Sequence, residues 1–226
     1  MIACGRLCPA RYVRALVFFV AAACSVLVAP PAGAQQSQPK NELGVWGSYS
    51  ANSPDVWGSR GHVQFGAVAF RYAWLIDSTK NLNIEYTLDV EPVEITPENR
   101  YVPCVILSGG AFTQSNCAIG KQVVYGGGLS PFGWKFNLRP ASQWQPFGAV
   151  TGGFVMSQKS IPWDIPRATR FNFTFDFQVG VQRFNAAHTR VWTFGYKLQH
   201  ISNAFRSSIN PGVDLNMLFV GYSFFK

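Results

Sequence analysis

The sequence predicts an all-β fold, an eight-stranded antiparallel up-and-down transmembrane β-barrel, and three observations carry that prediction. Apolar and polar residues alternate along several segments, most of these segments reach spanning length, and the connections between them alternate between short and long. The run from Leu82-Asn83-Ile84-Glu85 to Leu88-Asp89-Val90-Glu91 switches character at each step, and Phe171-Asn172-Phe173-Thr174-Phe175-Asp176-Phe177-Gln178 does the same. Successive strand residues face opposite sides, so each run carries one apolar and one polar face. A tilted membrane strand needs about 9–11 residues, whereas strands of soluble proteins usually run about 5–6. Composition agrees: 15% aromatic and 13% charged residues in 226 exclude a disordered or low-complexity chain.

The N-terminus comes first. Leu16 to Pro30 is the one stretch that approaches a spanning length of apolar residues, which excludes a polytopic helical membrane protein. It follows Arg6, Arg11 and Arg14 and runs into Ala32-Gly33-Ala34, the pattern of a secretory signal peptide cleaved after residue 34. Residues 35–226 are then the barrel domain. A competing reading makes Cys24 a lipid-modified N-terminus, but Ala21 stands where a lipobox usually has a branched apolar residue. Removal of the signal takes Cys4, Cys8 and Cys24 with it. Cys104 and Cys117 remain, and in an exported chain they predict a disulfide. The remaining chain is mildly basic with scattered charges, which argues against a nucleic-acid partner.

Candidate strands then fall near 42–50, 62–76, 81–92, 121–138, 145–157, 169–184, 189–202 and 213–225. Eight is an even number, as a closed bacterial barrel requires. The connections at 77–80, 139–143 and 185–188 are short, and those at the other end are longer. The longest spans 92–120 and holds both cysteines. Short periplasmic turns and long outer loops are the rhythm of an outer-membrane barrel. Gly126-Gly127-Gly128 lies inside a strand and fits close packing or a bulge; no lysine or helix follows to make a phosphate loop.

Strand phase sorts the side chains. Glu85, Asp89 and Asp176 share the inward phase with Arg71, Lys135 and Lys197, so they are expected to pair inside a filled barrel without an aqueous pore. The outward phase receives Phe171, Phe173, Phe175 and Phe177, and then Trp192, Phe194 and Tyr196. These would meet lipid.

The seventh strand breaks that rule at its outer end, where His200 and Ser202 continue the lipid-facing phase. Such residues are costly at mid-membrane and are tolerated near the headgroups. After Asn210-Pro211-Gly212 the chain returns, and Asp214 shares the outward phase of the last strand with Leu218 and Val220. A loop therefore brings Asp214 near His200 and Ser202. Side chains two apart on a strand stand about 7 Å apart, so Ser202 needs a bend at the strand end to reach His200. In that arrangement Ser202 attacks a carbonyl, His200 accepts its proton and Asp214 orients the imidazole. Asn203 could place an N–H where an oxyanion develops. A lone His-x-Ser is weak by itself, and the returning acid and shared phase are what strengthen it. No His/Cys/Asp/Glu grouping has metal spacing, and no cofactor is expected.

The segment His200-Ile201-Ser202-Asn203-Ala204, followed by Asn210-Pro211-Gly212-Val213-Asp214 and a last strand with Gly221-Tyr222-Ser223-Phe224, resembles the lipid A 3-O-deacylase family. The resemblance covers about 25 residues. It implies an eight-stranded outer-membrane barrel that hydrolyses an ester-linked acyl chain of lipid A. It also implies His200, Ser202 and Asp214 as catalytic residues, Asn203 and Asn210 as supporting asparagines, lipopolysaccharide as partner, and a site facing the outer leaflet. One departure is the acid: Glu is expected in the family, and Asp is one methylene shorter, about 1.5 Å of reach. The long 92–120 loop is another. Outside the motif, His62 lies near an outer loop and His188 in a short turn. Arg60, Arg100, Lys121, Lys159, Arg167, Arg170 and Arg206 form a basic set of outer-loop residues that could meet lipid phosphates, although solvated loop charge is the simpler reading. The sequence leaves open a related outer-membrane esterase or phospholipase, and a catalytically silent barrel acting as adhesin, receptor or anchor. It also leaves open whether the chain is a monomer or a homodimer.

Overall fold

Alternating side-chain polarity resolves into eight strands: β1 (Asn41–Ser50), β2 (Phe65–Ser78), β3 (Leu82–Ser108), β4 (Ala111–Leu138), β5 (Trp144–Ile161), β6 (Thr169–Phe184), β7 (Arg190–Ser202) and β8 (Val213–Phe225). The computed structural model describes residues 41–54, 56–58, 63–162 and 167–226. The expected signal segment, with Cys4, Cys8 and Cys24, lies outside the described residues, as do Arg60, His62 and the Arg100 side chain. Each strand pairs antiparallel with its sequence neighbours, and β1 pairs with β8 to close the barrel. Closure leaves no sheet edge along the wall, the condition for spanning a bilayer with strands.

The interior is a filled polar network. Arg71 donates from Nε and Nη2 to the two Asp89 oxygens at 2.8 and 2.7 Å, and Nη2 also reaches Gln178 at 3.2 Å. Lys135 donates to Glu42 at 2.6 Å and Glu85 at 2.8 Å, while Ser223 and Asn137 donate to the same two carboxylates. Asp176 accepts from Thr151 and Gln178. Lys197 lies 3.7 Å from Glu91 and 3.9 Å from Asp176, with its ammonium over the Trp46 ring. The six inward residues read from strand phase are thus buried together, joined by Glu42, Glu91 and Glu94. Buried charges persist only when paired and hydrogen-bonded, so these contacts specify how the strands register around the lumen. Toward the long-loop end the filling turns apolar, with Phe65, Val155, Ile201, Val213, Leu215 and Met217 in one cluster.

The outer face is apolar, with Leu43, Phe70, Phe136, Phe175, Val220 and Phe224 all exposed. Trp74 packs on Tyr86, which meets Trp134 edge-on, at the short-turn end, and Trp192 meets Tyr222 at the same end. This is the position of an interfacial aromatic girdle.

The expected 92–120 loop is not a loop. β3 and β4 continue past the barrel wall as a two-stranded ribbon and meet at Gly109 and Gly110, whose φ angles of 60° and 82° make a two-residue hairpin turn. Pro97 and Pro103 lie in the free ribbon, where each strand is an edge and proline is tolerated, while Pro92 falls in the wall at the register shift between Glu91 and Glu94. The expected disulfide crosses this ribbon, with the Cys104 and Cys117 Cα atoms 5.7 Å apart. Of the glycine run, Gly128 stands where an added Cβ would lie 2.6 Å from the Glu94 carboxylate, so its bareness makes room for a buried acid.

Candidate active site

β7 and β8 place the site. Their register sets His200 directly opposite Asp214, one step from Ile201 opposite Val213, the last pair before the connecting loop. Ile201, Val213 and Leu215 point inward and anchor both strand ends in the apolar cluster. His200 and Asp214 then project to the opposite, outer side. His200 Nδ1 lies 2.6 Å from Asp214 Oδ1. An ionised carboxylate only accepts, so Nδ1–H donates and Nε2 is left as the basic nitrogen.

Asp214 follows the outward phase of β8, yet its exposure is 0%. The β1–β2 connection covers it. The backbone N–H groups of Val56, Trp57 and Gly58 donate to Asp214 Oδ2 at 2.8, 2.6 and 2.7 Å. With His200 on the other oxygen, four donors converge on one carboxylate, which stabilises its charged form. The short reach of aspartate is met by geometry: the residue lies directly across the ladder from the histidine, so no longer side chain is needed.

The cover is packed closely. A Cβ on Gly58 would stand 2.4 Å from the Gly212 carbonyl oxygen, and a Cβ on Gly212 would stand 2.8 Å from His200 Cε1. The Trp57 ring meets the imidazole edge-on at 6.2 Å between centroids and lies 6.3 Å from Phe177. On the other flank, Phe175 pairs with His200 and Phe173 with Ser202, giving an aromatic floor beside the pair. The His200 side chain is 23% exposed, open on the side that Trp57 and the phenylalanines leave.

Ser202 stands two positions from His200 on the same outward face. Its hydroxyl makes no hydrogen bond among the described residues, so the expected serine–histidine bond is not made in this structure. Asn203 and Asn210 are engaged in the connecting loop: Asn203 N–H donates to Asn210 Oδ1 at 3.0 Å, and Asn203 Nδ2 donates to the Ile209 carbonyl at 2.8 Å. A tight turn follows, closed by Arg206 N–H on the Asn203 carbonyl. Ala204 and Phe205 hold left-handed φ angles of 50° and 58° there, an uncommon conformation for residues with a Cβ. The turn's closing bond does not use their own N–H groups, which sit just after Ser202.

Of the basic set, Arg206 stacks over Phe171 at 5.1 Å, Arg167 donates to Ser208 at 3.2 Å, and Arg170 donates to the Ser157 carbonyl at 3.0 Å. These surround the same end of the barrel as the site. His188 is at the other end, in the β6–β7 turn, stacked on Phe184 at 5.2 Å. The amides of residues 56–58 escape sequence reading because a backbone donor has no side-chain signature; the compact Trp57-Gly58 pair is the only trace of them.

No curated protein matches the chain. Among solved structures, the chain is similar to the outer membrane enzyme PagL, with 15% identity, a TM-score of 0.50, and 79% of this chain and 97% of that chain covered. It is also similar to Neisserial surface protein A, at 9% identity and a TM-score of 0.47, over 82% of this chain and 97% of that one. The attachment invasion locus protein Ail of Yersinia pestis gives 10% identity and a TM-score of 0.41, over 83% and 99%. The family model described as Lipid A 3-O-deacylase (PagL) matches residues 109–223, a segment that holds His200, Ser202 and Asp214 but not the covering amides at 56–58. With that match spanning half of its length, the chain belongs to the PagL family of lipid A 3-O-deacylases.

Proposed function

We propose that this chain is a serine esterase of the outer membrane that removes the 3-O-linked acyl chain of lipid A, using Ser202, His200 and Asp214. The observation that carries this reading is the His200–Asp214 hydrogen bond on the lipid-facing side of the long-loop end, with the second imidazole nitrogen unpartnered among the described residues and a serine two residues away. An acyl chain of a membrane lipid reaches that face without leaving the bilayer. Residues 1–34 direct export and are then removed, and the long-loop end faces the outer leaflet, where lipid A resides.

As substrate binds, Ser202 closes on His200, since catalytic hydrogen bonds that are open at rest commonly tighten in the substrate complex. Ser202 Oγ attacks the ester carbonyl and His200 Nε2 takes its proton. The charge that develops on the carbonyl oxygen meets N–H donors from the turn after Ser202, those of Ala204 and Phe205, since the Asn203 N–H is engaged by Asn210. Asn203 and Asn210 act by holding that turn. Collapse of the intermediate breaks the ester C–O bond, and His200 returns the proton to the departing sugar hydroxyl. Water, deprotonated by His200, then attacks the acyl-serine and releases the free fatty acid. Asp214 keeps the imidazole in the needed tautomer and stabilises its cation throughout. Each step moves only protons and an acyl group.

Mass spectrometry of lipid A from cells with and without the protein tests the reading. One hydroxyacyl mass is expected to disappear when the protein is present. Ser202→Ala or His200→Ala should lower the rate by about 10³-fold or more, while the barrel keeps its folded electrophoretic mobility. Unchanged release of the fatty acid from lipid A by either variant would sink the assignment. Cleavage of glycerophospholipid in preference to lipid A would replace the substrate.

A further inference from the structure

Strand phase alone would leave Asp214 wet, as its neighbour Asn216 is on the same face. It is instead sealed, and the seal is main chain. Three consecutive amides aimed at one oxygen form an anion-binding concavity of the kind made by turns that bind phosphates or carboxylates. Here it comes from the β1–β2 connection, more than 150 residues away in sequence from the acid it holds and outside the segment that carries the family match. Gly58 and Gly212 let that connection, the β7–β8 loop and the imidazole stack without intervening side chains.

We propose that the backbone N–H groups of Val56, Trp57 and Gly58 are a positioning cradle for the reaction, so that the first outer loop sets turnover through Asp214. This rests on the esterase reading above. The cradle occupies Oδ2 and leaves Oδ1 as the acceptor that faces Nδ1–H. Fixed in this way, the carboxylate orients the imidazolium without taking its proton. An unanchored aspartate at a strand end would rotate into the headgroup water and release the histidine.

The test deletes one donor. Val56→Pro removes a single N–H, whereas Val56→Ala removes side chain and keeps the donor. Val56→Pro is expected to lower kcat by about 30-fold relative to Val56→Ala, with KM within about twofold. In an Asp214→Ala background the two variants should differ by less than about twofold, because the group through which the cradle acts is gone. An equal loss in both backgrounds, or a loss confined to KM, overturns the proposal. Gly58→Ala, which forces the loop away from Gly212 and retains every donor, should show the same dependence on Asp214. Amide hydrogen exchange supplies a readout that needs no activity. Exchange at Val56, Trp57 and Gly58 should speed up by about tenfold in Asp214→Ala, and an unchanged rate overturns the cradle. If the unaltered protein hydrolyses no ester, the functional reading fails while the cradle is judged on exchange alone.

Discussion

Two acid–base pairs stand directly across the ladder in two hairpins, one pair facing into the barrel and one facing out. Arg71 and Asp89 are directly opposite each other in the β2–β3 ladder, and His200 and Asp214 are directly opposite in the β7–β8 ladder. The first pair points inward, with side-chain exposures of 5% and 2%, and its guanidinium is shared between Asp89 and Gln178. The second points outward; its carboxylate is saturated by four donors while one imidazole nitrogen has no hydrogen-bond partner among the described residues. Cross-strand pairing is the same device in both. What separates a structural pair from a chemical one is the face it occupies and whether one partner keeps an unused group within reach of a nucleophile.

The comparison is sharpest when each pair is broken in turn. Asp214→Asn should lower kcat by about 10³-fold or more, because the amide stabilises the wrong imidazole tautomer, and it should leave the unfolding midpoint nearly in place. Rate and urea midpoint measured on one preparation check both halves. Arg71→Met should do the reverse. Stranding Asp89 in the interior is expected to cost about 3–5 kcal/mol of stability, with activity per folded molecule within about twofold of the parent. A large loss of activity at full folding would mean that the interior network also shapes the site.

The smallest effect concerns His188, at the opposite end from the site. Burial against Phe184 pushes its imidazole below the ordinary histidine value. A folded-state value below the unfolded one means the unfolded chain binds the proton more readily. The contribution is therefore intact above about pH 6.5 and is lost as pH falls from there through the lower folded value. Midpoints measured across that window for the parent and His188→Gln should converge at acid pH, and the activity ratio should stay flat. A shift in the rate profile would tie this turn to the site, against the separation of the two ends.

Much of this arrangement is legible in the residues. Period-two alternation marks the strands, and phase places Arg71, Lys135, Lys197 and their carboxylates inside and the phenylalanines outside. It also makes His200 and Ser202 anomalous, which is how the site is found. The ribbon is less legible: beyond the wall both strands are free edges that bury no face, so no two-residue alternation is required of them. Glu42, Glu91 and Glu94 are likewise hard to place: Glu42 opens β1 on an inward phase that also carries Gly44 and Trp46, so no polar run marks it, and the ladder slips between Glu91 and Glu94. Burial of Asp214 could not be read, because phase describes a strand's own faces and not what a distant loop lays over them.

The barrel, its inner and outer faces, and the histidine, serine and acid that share one face all follow from a two-residue period acting along single strands. The ribbon in the 92–120 segment, and the sealing of Asp214 by the amides of Val56, Trp57 and Gly58, come instead from segments meeting in the folded chain. Every non-proline residue carries the same N–H, so its direction has no signature in the chain. It is fixed when barrel closure brings the β1–β2 connection against the loop that enters β8.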